Sequence, residues 1–187
     1  LNEAQKLIET RAAKMESSDH AFNFNRNASA AEVLGLPFLC IHTPADVIVE
    51  KALQKLFDER FGDKPKTKVG ELLKVFDDIP EYKQAIFPPK IAVGSPDSYA
   101  GKILVIMSGV TGGGPDVYKA YFRAGIGTLV LMHGGEEDIK AVGEQKVGNI
   151  IVAGHMSSDS YGMNRIIEVW EQSGVKVTRM SGLLNPS

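Results

Sequence analysis

Two histidine–aspartate pairs of identical spacing stand out: His42 with Asp46, and His155 with Asp159. Each follows a short apolar run, Phe38-Leu39-Cys40-Ile41 in the first case and Asn149-Ile150-Ile151-Val152-Ala153 in the second, and both runs read as strands. From Asp46, the residues Val49, Leu53 and Leu56 recur at helical spacing; from Asp159, Met163, Ile166, Ile167 and Trp170 do the same. Each aspartate is therefore in line with the buried stripe of its helix. A carboxylate there is costly to desolvate unless a cation or hydrogen bonds hold it. One such unit is explained equally well by a helix N-cap beside a satisfied core histidine, because Ser and Asp are favoured caps. The repetition turns the reading toward metal ligands.

Two imidazoles and two carboxylates form a donor set suited to Zn, Mn, Fe or Co, whereas Ca and Mg favour oxygen alone. A pair of such ions, about 3.5–4 Å apart, lowers the pKa of a bridging water and can deliver hydroxide to a carbonyl, phosphoryl or ring carbon. Four residues are too few to fill two coordination shells, so further ligands are expected from elsewhere. His133, at the end of the apolar run over residues 126–132, is the candidate catalytic residue: a proton carrier or an outer partner of the site. The acids Glu136, Glu137 and Asp138 that follow it suit the positive end of a helix without any metal. His20, in a polar stretch, reads as a surface or capping residue, and Cys40 as a small packed hydrophobe with no chemistry. Asp77 and Asp78 read as a solvated helix end.

The elements that must position these residues follow from periodicity and from breakers. Helices are expected over about residues 2–16, 28–34, 45–61, 69–76, 81–87, 116–123, 139–144 and 159–173. Strands are expected over 38–41, 91–94, 102–107, 126–132, 148–153 and 175–180. Gly35 with Pro37, and Pro88 with Pro89, stop their helices. The glycine-rich turn Ser108 to Pro115 lacks the lysine and hydroxyl of a P-loop and does not match the dinucleotide fingerprint; a tight strand–helix turn explains it as well as phosphate binding does. Alternating strands and helices in the second half give the fold class: a layered α/β domain with a mixed or largely parallel sheet. In such sheets ligands gather beyond the carboxyl ends of the strands, where His42, His133 and His155 are all expected.

At 187 residues, 43% hydrophobic and 24% charged, this is an ordinary globular composition for one domain. The reading is a single domain over 1–187, with about 90–145 as a candidate sub-lobe. The formal net charge of −2 argues against a nucleic-acid binder driven by phosphate neutralisation. No apolar run approaches the roughly 20 residues of a membrane span. A single cysteine suits a reducing cytoplasm. The helical stripe Leu1, Ala4, Leu7, Ile8, Ala12, Met15 begins at once, and a segment N-terminal to Leu1 is expected.

His42-Thr43-Pro44-Ala45-Asp46 and Gly154-His155-Met156-Ser157-Ser158-Asp159 resemble the two later metal motifs of the NGG-interacting-factor-three family, whose bacterial members are often labelled type-two GTP cyclohydrolase I. That family carries H-T-x-x-D and G-H-x-x-x-E in this order, separated by an inserted α/β segment. The resemblance runs from about Leu36 onward. It implies a dinuclear site of two divalent ions per subunit, held by His42, Asp46, His155 and Asp159. It also implies a ring-like homo-oligomer, commonly a hexamer, with the metal sites facing an inner cavity. Asp159 stands where the family has glutamate, which shortens the reach by one methylene. The family's paired histidines, in an H-H-P motif, have no match here. The function expected is a metal-dependent hydrolase of the GTP cyclohydrolase type, acting on a nucleotide or related small molecule, with metal-bound hydroxide as nucleophile. The alternative is a metal carrier or regulatory scaffold without turnover. No motif specifies a guanine pocket.

Overall fold

The computed structural model describes residues 2–19, 25–107 and 113–185. His20 and residues 108–112 of the glycine-rich turn lie outside the described residues, and with them the capping and phosphate readings.

The sheet is built from near-continuous apolar runs, because both of its faces are covered. Strands β1 (Lys90–Val93), β2 (Lys102–Ile106), β3 (Ile126–Leu131) and β4 (Asn149–Val152) are ordered β1-β4-β3-β2. β2, β3 and β4 are parallel, and β1 joins β4 antiparallel, so the sheet is mixed as expected. Side chains alternate across it. Val105, Met107, Val130, Met132, Ile151 and Ala153 face one layer, made of α3 (His42–Phe61), α4 (Val69–Val75), α5 (Pro80–Lys83) and α8 (His155–Gln172). Ile106, Leu129, Leu131 and Ile150 face the other, made of α6 (Pro115–Arg123) and α7 (Glu136–Gly143). Helix α1 (Asn2–Asp19) packs on α6, where Glu3 pairs with Arg123. Helix α2 (Arg26–Val33) precedes an extended, largely exposed stretch.

That stretch corrects one expectation. Residues 38–41, expected as a strand, form none: Phe38 and Leu39 are exposed, Cys40 is exposed rather than packed, and none of the described strands pairs with them. Residues 175–180 form no strand either; Arg179 ties this segment back to α8 through Glu171 and Asn164. An apolar run or alternation marks a strand only where a neighbouring backbone pairs with it, and among the described residues neither segment is paired with a strand. Helix α5 is also shorter than expected, ending at Lys83, and α7 begins at Glu136, so that all three acids fall in its first turn. No described helix is long and apolar enough to cross a membrane.

Candidate metal centre

The two helices that carry the pairs begin earlier than their apolar stripes suggested. His42 opens α3 and His155 opens α8, so each histidine sits one turn before its aspartate on a single helix face. The N-cap positions are Ile41 and Gly154, with no side-chain cap, so neither aspartate caps a helix. This removes the capping explanation. At Gly154 the chain leaves β4 with φ +107, a left-handed value that favours glycine and turns the strand directly into the helix. His42, expected at a strand end, follows no strand, while His155 follows β4 and His133 lies just beyond β3.

Helices α3 and α8 pack against each other, which brings the two first turns together. His42 Nε2 lies 3.5 Å from Asp46 Oδ1 and 3.5 Å from Asp159 Oδ1. His155 Nε2 lies 3.4 Å from Asp159 Oδ2, so the two oxygens of Asp159 face different histidines. One ligand atom each from His42, His155 and Asp159 falls within 4.8 Å of the others, a spacing that could hold a metal ion. The rings of His42 and His155 lie nearly parallel with centroids 6.1 Å apart. His133 also stacks on His155, with centroids 4.9 Å apart. His42, His155 and Asp159 thus meet at one place, Asp46 lies against His42, and His133 lies beside His155.

The electrostatics test whether a cation fits. Asp46 is buried, and its Oδ1 has no hydrogen-bond partner; Asp159 Oδ1 is likewise buried without one. Burial pushes the Asp46 carboxyl above the usual carboxylate range, helped by Asp159 and Glu50 and opposed by His42 and His155. Burial, then the neighbouring His155, holds the His133 imidazole below its usual value. Two orphaned carboxylate oxygens with two imidazoles at hand form an arrangement whose charge a divalent ion would balance, so the residues fit such an ion.

The site opens to the surface, since the side chains of His42 and His155 are 55% and 49% exposed. A cavity of about 80 Å³ lies next to it, lined by Arg11, Tyr118, His133 and Asp138. The larger hollows lie elsewhere: one of about 800 Å³ is lined by Phe57, Phe61 and Leu104 and holds none of the histidines. Asp78 is taken by Arg60 at 2.9 Å, which accounts for that acid without a metal. Glu50 is a residue that sequence reasoning passed over. It lies one turn beyond Asp46, and its Oε2 accepts a hydrogen bond from Met107 N at 2.9 Å. The i, i+4, i+8 series His42, Asp46, Glu50 was its only signal.

A crystal structure of a NIF3 superfamily protein from Sphaerobacter thermophilus superposes with a TM-score of 0.90 over 97% of this chain, at 31% sequence identity. The chain belongs to the NIF3 superfamily. It covers 66% of the length of that Sphaerobacter protein. No family model and no curated protein matches it. Membership agrees with the order of the two motifs and with the α/β segment between them. Aspartate in place of the family's glutamate still reaches both histidines, at 3.5 and 3.4 Å.

Proposed function

We propose that this chain carries the metal centre of a divalent-metal-dependent hydrolase of the NIF3 superfamily, acting on a nucleotide or related small molecule. The observation that carries this reading is that two buried, unpartnered carboxylate oxygens, on different helices, both lie 3.5 Å from one imidazole nitrogen. Carboxylate oxygens buried without a hydrogen bond are costly to desolvate, and such a cluster makes chemical sense as a cation site. His42, Asp46, His155 and Asp159 would hold the metal, and the identity Zn, Mn, Fe or Co follows from the mixed nitrogen and oxygen donors. Two ions per subunit are part of the proposal, since a carboxylate whose oxygens face separate histidines is suited to bridging. A bound ion would supply Lewis acidity and acidify a water near neutral pH.

The chain's own groups would do the rest. His133, stacked on His155 and lining the small cavity, is placed to carry a proton between the site and a ligand. Arg11 and Tyr118 across that cavity offer donors to orient a polar group. A cytoplasmic homo-oligomer, hexameric by the family resemblance, completes the reading. The half-exposed histidines favour a second reading, a metal carrier or regulatory scaffold, because an open site excludes little water.

Metal analysis of the pure protein and of His155→Ala tests the shared premise. Stoichiometric metal in the first and its loss in the second are expected; equal metal in both removes both readings. Turnover of phosphoesters, nucleotides or cyclic amides that needs the added metal then supports the hydrolase. A metal-loaded protein inert across that screen leaves the carrier.

A further inference from the structure

Gly162 lies in the interior of α8, seven residues after His155 and three after Asp159, on the face those two share. Its backbone is ordinary helix, with no positive φ, so no conformational demand selects glycine there. Glycine instead weakens a helix interior by about 0.5–1 kcal/mol relative to alanine. The reason for it is contact. A Cβ at this position would stand 2.2 Å from the Ala45 carbonyl oxygen, 2.7 Å from its carbon and 2.8 Å from Ala45 Cα, all backbone atoms of α3. Ala45 is fully buried, and the next residue is Asp46.

We propose that Gly162 is a positioning residue for the metal centre: it sets the α3–α8 separation at which His42 and Asp46 meet Asp159 and His155. The inference rests on the metal reading given above. The magnitudes decide it. Non-bonded carbon atoms sit at about 3.5–4.0 Å, so a side chain at 162 forces the helices apart by roughly 1 Å or more. Metal-ligand constellations tolerate only about 0.5 Å of displacement. The interhelical approach of His42 to Asp159, 3.5 Å, spans this same contact and would open with it.

Position along the helix axis is set separately. Glu50 accepts from Met107 N, while Gln54 accepts from Val105 N and donates to Ile103 O. These bonds take up backbone groups of β2, the edge strand, and of Met107 just beyond it, and fasten α3 there one and two turns beyond Asp46. Contact with α8 and bonding to β2 together fix α3 in two directions.

Cobalt(II) titration of chelator-stripped full chain tests this, reading affinity by competition and geometry by the visible absorption of the bound ion. The variants are Gly162→Ala, Glu50→Leu and Glu50→Gln. Gly162→Ala, folded by circular dichroism, is expected to bind about tenfold more weakly or worse, with an altered absorption band. Both Glu50 variants remove the same charge, but only glutamine can still accept from Met107 N. Glu50→Leu is therefore expected to bind about tenfold more weakly than Glu50→Gln. A folded Gly162→Ala with wild-type affinity and spectrum overturns the proposal. If that variant does not fold, the Glu50 pair tests the premise on which the role of Gly162 depends, that the placement of α3 sets the metal geometry, and equal affinities overturn the proposal. A wild-type chain that takes up no cobalt overturns the metal reading itself, and the positioning role with it.

Discussion

Asp46 is the residue on which folding and function pull in opposite directions. Its carboxyl is buried and raised above its ordinary range, so the folded chain holds the proton more tightly than the unfolded chain does. Ionisation of this group therefore opposes folding: the penalty is absent below the ordinary aspartate value and grows as pH rises through the folded one. Asp46→Asn removes the penalty and a proposed metal ligand together. The stripped variant should melt at or above stripped wild type at neutral pH, with the difference shrinking below pH 4, while its metal-induced rise in melting temperature disappears. Thermal melts with chelator and with added metal check both halves. A destabilised stripped variant would show that Asp46 is satisfied by protein groups rather than left open for a cation.

At the scale of elements, the first turns of α3 and α8 act as one unit because the sheet beneath them is packed from both sides. Ile150 and Ile151 are adjacent and fully buried, but they face opposite layers: Ile150 toward α6 and α7, Ile151 toward α3 and α8. Truncating either to alanine should cost about 2–5 kcal/mol. In a chain of this length that lowers the melting temperature by roughly 4–20 °C. Only Ile151→Ala should also weaken metal uptake, since only its cavity opens under the layer that carries the proposed metal site. Paired melts and metal titrations of the two variants check this, and equal uptake would show that the layer is rigid against such a loss. Tyr82, buried with its hydroxyl 2.9 Å from Ser158 Oγ, fastens α5 to the first turn of α8 in the same layer. Burial raises its pKa, which keeps the phenol neutral and its hydrogen available to that bond.

For the whole molecule, metal binding and stability are linked. An ion that binds only the folded chain, at about 100 times its dissociation constant, adds about 2.7 kcal/mol. For this length that is a rise in melting temperature of about 5–10 °C, reversed by chelator; no shift with Zn, Mn, Fe or Co would remove the metal reading. Assembly is checked by light scattering, where the proposed homo-oligomer should exceed the 20.3 kDa of one chain. Exposed Leu36, Phe38, Leu39, Ile86 and Phe87 leave apolar surface that such an assembly could cover. The sequence by itself determined the local parts of this protein: four apolar sheet strands, the helices between them, and two His-x-x-x-Asp pairs placed along helix stripes. These follow from periodicities of two and 3.6, which nearby residues encode. Only the tertiary structure decided what depends on a distant neighbour. Residues 38–41 and 175–180 read as strands yet pair with no strand among the described residues, and β1 runs antiparallel because of its partner β4. Likewise, two pairs more than a hundred residues apart meet because glycine at 162 leaves room for the backbone of Ala45. Pairing and close approach are properties of two segments at once, and no single stretch of sequence records them.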